Sequence, residues 1–196
     1  MNQLKPRLAK LISRVFEPII EIPLLITIST MVAYLNGYRW RFLAFLLVVD
    51  AVIPGLYFLY LLRSKRAQDW DITVREQRLP LFWLSVATHF MGVILAFWLN
   101  RQPLANILLS FWFLAVIFTI ITQVYKISLH TGVNTTLVIF SLYLFGSRVW
   151  WLLALPVIVS WARIVYRKHT LAQVVFGGLV PAIILPLSFY LLGVKF

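Results

Sequence analysis

Residues 104–124 read LANILLSFWFLAVIFTIITQV and contain no charged side chain. A helix needs about 20 mostly apolar residues to cross the hydrocarbon core of a membrane, so this stretch predicts a transmembrane helix. Backbone polar groups in hydrocarbon must be bonded internally, which favours helices over open strands. Six further apolar stretches lie at 18–36, 42–62, 80–99, 131–147, 149–166 and 171–193.

The composition of the 196 residues supports a membrane location. The chain is 62% hydrophobic and 12% charged, whereas a soluble domain is about 45–50% apolar and about 25% charged. Its net charge of +12 does not indicate nucleic-acid binding, because no soluble core could absorb so much apolar surface. The absence of cysteine excludes disulfides and a thiol nucleophile. We predict an all-α integral membrane protein with six to seven transmembrane helices in a bundle.

The N-terminal segment differs from the apolar stretches. Residues 1–16 read MNQLKPRLAKLISRVF and place four basic residues among leucines and other apolar residues at helical spacing. This pattern is typical of an amphipathic helix on an anionic membrane surface. We therefore predict a basic interfacial helix at 1–16, followed by one transmembrane domain at 17–196.

The distribution of basic residues predicts an orientation. With seven spans, the N-terminus, the loop 63–79 and the regions 124–130 and 166–170 share one face. That face, with Arg163 included, holds 13 of the 18 Lys and Arg residues, and Lys195 lies on the opposite face. The positive-inside rule then places the N-terminus and the basic face in the cytoplasm.

Three polar clusters border the predicted spans on this same face. They are DWDITVREQRLP at 69–80, KISLHTG at 126–132 and RIVYRKHTLAQ at 163–173. Two predicted spans separate each cluster from the next, so the chain returns to one side each time. Polar residues in membrane proteins often mark function, and we predict that these clusters form one site. Its candidate residues are Arg75, Arg78, Lys126, Ser128, His130, Arg163, His169 and Gln173.

The residue types in this set suit a phosphate group. Arginine, lysine and serine side chains supply positive charge and hydrogen-bond donors for phosphate oxygens. Of the two histidines, His130 and His169, one could attack phosphorus and the other protonate the leaving oxygen. Gln173 lies one helical turn after His169, where its amide oxygen could accept from one imidazole N–H. No metal or other cofactor is expected, because the histidines lack acidic partners in these motifs.

The motifs resemble those of the type 2 phosphatidic acid phosphatases, a family with the patterns Lys-x6-Arg-Pro, Pro-Ser-Gly-His and Ser-Arg-x5-His-x3-Asp. The third is matched by Ala162-Arg163, five residues, His169, three residues and Gln173. The second is matched by Ser128-Leu129-His130, and the first loosely by Arg78-Leu79-Pro80. Order and topology agree over roughly residues 63–193.

The resemblance implies a metal-independent membrane phosphatase that acts on a lipid or isoprenoid phosphate. It implies that His169 is the nucleophile, that His130 is the general acid, and that Arg78, Arg163 and Ser128 hold phosphate. The sequence departs from the family at three polar positions, one of which is Ala162 in place of Ser. Asp71 stands where the first motif has Lys, and Gln173 replaces the Asp that pairs with the nucleophilic histidine.

Two other functions are compatible with the sequence. A degenerate relative could bind lipid head groups or serve as a subunit of a membrane assembly, and Gln173 favours this alternative. A membrane prenyltransferase would need two Asp-rich, magnesium-binding loops, whereas the whole chain has six acidic residues. Away from the clusters, we expect Glu21 and Asp50 to be neutral or paired within the bundle, and His89 to be a buried hydrogen-bonding residue.

Overall fold

In the computed structural model, residues 4–34 and 37–194 are described, and the regular structure in these ranges is helical. Six continuous helical stretches are long and apolar enough to cross a membrane, which is the pattern of a multi-pass membrane protein. The predictions that involve residues 1–3, 35–36 and Lys195 lie outside the described residues. The α-helices are α1 (Leu4–Val15), α2 (Pro18–Ala33), α3 (Arg39–Leu47), α4 (Ile53–Arg63), α5 (Leu79–Trp98), α6 (Leu104–Val124), α7 (Leu129–Phe145), α8 (Ala154–Val165) and α9 (Leu171–Leu191).

Local sequence signals account for several helix starts. Pro18 and Pro80 lie in the first turns of α2 and α5, where the missing N–H removes no helical hydrogen bond. Ser128 and Thr170 are the N-caps of α7 and α9, and each side-chain oxygen accepts a hydrogen bond from a backbone N–H three residues on. The ends of α7 and α9 that carry the polar clusters are therefore fixed by capping.

The region of the two short predicted spans, 131–147 and 149–166, folds as a helical hairpin. A 3-10 turn, Gly146–Leu153, joins α7 to α8, and Thr131 near the start of α7 contacts Ser160 in the second half of α8 at 3.2 Å. The two helices are therefore antiparallel. With 12 residues, α8 is about 18 Å long, and the seventh membrane span stays a prediction.

The predicted amphipathic helix corresponds to α1, which packs against α8. Its small residues Ala9 and Ser13 are buried, while Leu4, Leu8 and Leu11 are exposed. The helix ends before Glu17, which precedes Pro18 and the start of α2. Its position at a membrane surface stays a prediction.

The core of the bundle lies between α2, α3, α5, α6, α7 and α9. Helix α6 packs against α5 and α9, and α7 packs against α2, α8 and α9. Leu46, Leu104, Ile107, Phe140 and Phe189 are among its most deeply buried side chains. Helices α2, α5, α6 and α7 of this core line the cavity described below, and the packing of α7 against α9 holds their starts side by side.

Two polar pairs join helices inside this bundle. Glu21 in α2 accepts a hydrogen bond from the side-chain amide of Asn134 in α7 at 2.8 Å. His89 in α5 contacts the carboxyl group of Asp50 at 2.8 Å. The expectations that these acidic residues are paired and that His89 is buried and hydrogen-bonded are confirmed.

Gly177 sets how closely α9 approaches the start of α7. A Cβ atom at this position would lie 2.6 Å from the backbone oxygen of Ser128, whereas a Cβ at Gly178 would meet side chains at an ordinary 3.5 Å. We expect Gly177→Ala to lower the free energy of unfolding by about 1–3 kcal/mol, as overpacking does. Gly178→Ala is the matched control and should change it little. Thermal unfolding in detergent measures both, and equal midpoints for the two variants would contradict the expectation.

Candidate functional site

A cavity of about 300 Å³ inside the bundle is mostly apolar and has polar residues at one end. His130, His169 and Arg78 line that end, together with Glu17 and Asp71. The structure thus brings residues of all three predicted clusters to one cavity. The remaining walls come mainly from apolar side chains of α2, α4, α5, α6 and α7.

The imidazole of His169 is oriented by Gln173. The two residues flank the start of α9, and His169 Nδ1 lies 3.0 Å from Gln173 Oε1. Gln173 is itself fixed, because its Oε1 accepts from the Thr170 N–H and its N–H donates to Thr170 Oγ1, which is a capping box. Since an amide oxygen only accepts, Nδ1 carries the proton and Nε2 keeps its lone pair.

His169 stands between two environments. On one side it lines the apolar cavity, and on the other it lines a shallow depression with Lys126, Lys168 and Arg167. Burial, followed by the positive charges of Arg78 and Arg163, lowers the pKa of His169 well below its usual range. The imidazole is therefore neutral at neutral pH, the form in which a histidine is nucleophilic.

His130 lies at the start of α7, and the carboxylate of Glu17 lies close to its Nε2 atom. Its Nε2 lies 3.4 Å from Oε1 of Glu17, and both side chains are about nine-tenths buried. Nε2 makes no hydrogen bond of good geometry. The side-chain amide of Asn134 donates both to the backbone oxygen of His130 and to Glu21 in α2. These two hydrogen bonds connect α7 to α2 and hold the backbone of His130 in place.

Asp71 sits within the basic residues of the site. Arg163 Nη1 donates to Asp71 Oδ1 at 2.7 Å, and Lys168 Nζ lies 3.3 Å from Oδ2. The side chains of Arg163 and Asp71 are 1% and 4% exposed. Burial by itself would raise the pKa of Asp71, but Arg163 and Lys168 outweigh it and hold the pKa below its usual range. The carboxylate of Asp71 thus pairs with two of the cations of the site.

Arg78 fixes the loop that carries Asp71. Its Nε donates to the backbone oxygen of Ile72 at 2.5 Å, and its Nη2 donates to that of Asp71 at 3.2 Å. Ile72 has a φ of 40°, which is rare and strained for a β-branched residue. Backbone strain of this kind clusters at functional sites, and the buried Arg78 guanidinium stabilises the strained loop.

Four of the five predicted phosphate ligands do not line the cavity, and one of them is Arg163, which is held by Asp71. Arg75 pairs with the exposed Glu76 at 2.6 Å and does not line the cavity. Ser128 is fully buried and its oxygen accepts from Thr131, so its evident role is to cap α7. Lys126 lines the outer depression and donates to the backbone oxygen of Lys168. Burial, with the charges of Arg78 and Arg163, lowers the pKa of Lys126.

The assumption that both histidines lack acidic partners is wrong for His130. Glu17, Asp71 and His130 each offer a ligand atom, and these atoms lie within 4.8 Å of one another. Such a group has the ligand types of a metal site. However, both Asp71 oxygens already contact cationic side chains, and the surrounding positive charge opposes a further cation. We therefore assign no metal to this group.

Sequence reasoning missed Glu17 and Lys168 and treated Asp71 only as a departure from a motif. Glu17 lies between the amphipathic segment and the first apolar stretch, on the face that carries the three clusters. The chain has only six acidic residues, so a carboxylate on the face of the three clusters could have indicated that Glu17 belongs to the site. The contact of Glu17 with His130, 113 positions later in the chain, corresponds to no local sequence pattern.

Comparisons with known proteins do not add a relative. The chain matches no family model, and it has no significant match among curated proteins or solved structures.

Proposed function

We propose that this chain is a membrane phosphatase that hydrolyses a lipid or polyprenyl phosphate or diphosphate without a metal ion. The observation that carries the proposal is that His130, His169 and Arg78 line the polar end of a mostly apolar cavity. An amphiphile fits such a cavity, with its phosphate at the polar end and its tail among apolar side chains. The resemblance of the three motifs to type 2 phosphatidic acid phosphatases points to the same chemistry.

The proposed reaction has two steps. His169 Nε2 attacks phosphorus, the bond from phosphorus to the lipid oxygen breaks, and the imidazolium form of His130 gives that oxygen a proton. Water then attacks the phosphohistidine while the neutral His130 takes its proton, which releases phosphate and restores the neutral His169 and the protonated His130. Arg78 and Arg163 stabilise the charge on the phosphoryl oxygens, and Arg163 must leave Asp71 to do so fully.

The enzyme hypothesis is tested by phosphate release from the purified protein. A panel of phosphatidic acid, lysophosphatidic acid and polyprenyl phosphates in detergent with EDTA gives the substrate class. Release in EDTA supports a metal-independent phosphatase. No release above the rate of a His169→Ala variant would contradict it.

A second candidate function is binding without turnover, as a lipid-binding protein or as a subunit of a membrane assembly. Two observations favour it. Asp71 occupies Arg163 and Lys168, and Gln173 offers His169 an amide where a carboxylate would stabilise an imidazolium. Lipid phosphate that binds but is not hydrolysed would support this function.

Gln173 gives a direct test of the electrostatic argument. A carboxylate at this position would stabilise the positive charge that His169 gains on attack, an effect worth a few kcal/mol in a dry site. We expect Gln173→Asp to raise phosphatase activity at neutral pH by about tenfold or more. Gln173→Asn is the matched control, because asparagine has the length of aspartate but carries no charge. Equal activity of the two variants would contradict the role of charge.

We also propose that the N-terminus and the site face the cytoplasm, with α1 as an interfacial helix and α7 and α8 as separate spans. The excess of basic residues on this face supports the orientation. The chain has no cysteine, so a Lys5→Cys variant carries a single thiol. We expect an impermeant maleimide to label it only after the cells are opened, and labelling of intact cells would reverse the orientation.

A further inference from the structure

The end of the cavity away from the histidine site also carries an acidic residue. Asp50 lies in a π-helical turn, Val48–Val52, between α3 and α4, and both Asp50 and its partner His89 line the cavity. A π-helical turn inserts an extra residue into a helix and occurs frequently at functional sites. Ionisable residues at membrane depth are likewise rare unless they serve a function.

The hydrogen bonds of His89 define what Asp50 presents to the cavity. His89 Nε2 lies 3.0 Å from the backbone oxygen of Leu108, which can only accept, so Nε2 carries a proton. His89 Nδ1 lies 2.8 Å from Asp50 Oδ1 and shares one proton with it. Whichever of the two atoms holds that proton, Asp50 Oδ2 remains a hydrogen-bond acceptor.

Asp50 Oδ2 is buried and has no hydrogen-bond partner among the described residues, and its side chain is 4% exposed. Three hydroxyl groups also line the cavity, on Ser85, Thr119 and Thr136. Each of them donates to a carbonyl of its own helix. A buried acceptor without a partner is costly, and a ligand that carries a donor removes this cost.

The distance between the two polar ends sets where that donor must lie. His89 in α5 lies 11 positions after Arg78, the N-cap residue of this helix, and this spacing corresponds to a rise of about 16 Å. A fully extended polypeptide backbone advances about 3.5 Å for every three bonds, and an extended alkyl chain advances by a similar length. About 13 or 14 bonds therefore separate a phosphorus atom held near Arg78 from a group held at Asp50.

We infer that Asp50, held by His89, forms a second polar subsite that binds a hydroxyl group on the tail of an amphiphile in the cavity. The inference rests on the proposed function, because the same ligand places its phosphate at the histidine site. It specifies the substrate class further, as a phosphate ester of a long hydroxylated chain. The hydroxyl lies about 13 bonds from phosphorus, by the same extended-chain measure.

Three alkylphosphonates test this subsite, since a carbon–phosphorus bond is not hydrolysed. They are dodecylphosphonate, 12-hydroxydodecylphosphonate and 6-hydroxydodecylphosphonate, and their dissociation constants are measured on the full chain in detergent. We expect the 12-hydroxy compound to bind about tenfold more tightly than dodecylphosphonate. The 6-hydroxy compound should bind no more tightly than dodecylphosphonate, because its hydroxyl lies short of Asp50 and its burial in the cavity is costly.

Two variants connect the preference to Asp50. Asp50→Leu removes the acceptor and should reverse the preference for the 12-hydroxy compound. Ser85→Ala, which removes a hydroxyl that is already satisfied, should preserve it. If Asp50→Leu does not fold, the comparison of the three probes on the wild-type chain still decides.

The outcomes separate this inference from the proposed function. Equal binding of dodecylphosphonate and its 12-hydroxy derivative overturns the subsite and leaves the phosphatase proposal standing, with water as the partner of Oδ2. Failure of all three phosphonates to bind overturns both. A preference that persists unchanged in Asp50→Leu also overturns the subsite.

Discussion

Replacement of His169 by alanine should reduce phosphate release from a lipid phosphate by at least about 10³-fold, because the variant lacks the nucleophile. His130→Ala should have a different effect, since this residue protonates the leaving oxygen in the first step and takes a proton from water in the second. We expect that variant to form the phosphohistidine slowly from lipid phosphates but to be much less impaired in this step with p-nitrophenyl phosphate, whose leaving group needs no proton. The alcohol or p-nitrophenol released in the first turnover is measured for both variants and both substrates.

Phosphohistidine formation distinguishes these roles from a loss of structure. With a ³²P-labelled substrate, the wild type and His130→Ala should give an acid-labile, base-stable phosphoprotein, and His169→Ala should give none. Glu76→Gln changes an exposed carboxyl group outside the cavity and serves as the control for purification of a variant. It should be labelled like the wild type. Label retained in His169→Ala would remove His169 from the nucleophile role.

Replacement of Asp71 by asparagine should have two opposite effects. It leaves the buried Arg163 without its ionic partner, which we expect to lower the free energy of unfolding by about 3–5 kcal/mol. It also frees Arg163 and Lys168 for an oxyanion, so orthophosphate or vanadate should bind at least about tenfold more tightly. Thermal unfolding with and without the anion measures both effects, and the anion should restore much of the lost stability.

Asp69→Asn is the matched control for Asp71→Asn. Asp69 lies on the same loop and its carboxylate is 3.7 Å from Lys168, but it is more exposed and should contribute under about 1 kcal/mol. If orthophosphate binds Asp71→Asn no better than wild type, Asp71 does not compete with the ligand.

The ion pair of Asp71 also predicts an acid transition. Because its folded pKa is depressed, the stabilisation is fully present above the unfolded pKa of about 4 and is lost as the pH falls through the folded value. The difference in melting temperature between wild type and Asp71→Asn should therefore be constant from about pH 7 to 5 and shrink below about pH 4. A constant difference down to pH 3 would contradict the assignment.

The helices could be predicted from sequence because membrane spans follow from local composition. The predicted span 104–124 coincides with α6, and the predicted starts at 18 and 171 coincide with those of α2 and α9. Convergence of the clusters followed from counting spans. The spacing of four positions correctly predicted the contact of His169 with Gln173, although His169 precedes the N-cap of α9 and does not lie within the helix. These features depend on residues that are close in the chain.

The electrostatics of the site could not be predicted in the same way. Asp71 contacts Arg163 across 92 positions, and Glu17 reaches His130 across a similar distance in sequence. Both contacts depend on how helices that are distant in the sequence pack end to end. The periodic pattern of apolar residues along a single helix does not indicate this packing. The π-helical turn at Asp50 could not be predicted for a related reason. An inserted residue within a uniformly apolar span leaves the hydropathy pattern unchanged.

The placement of His169 between the apolar cavity and the basic depression has a consequence for product release. A phosphate ester cleaved at this histidine would yield an alcohol that is soluble in oil and an anion that is soluble in water. Each product would already lie on the side of the histidine that solvates it. The two products would therefore part at a phase boundary, and neither would need to pass the other on its way out.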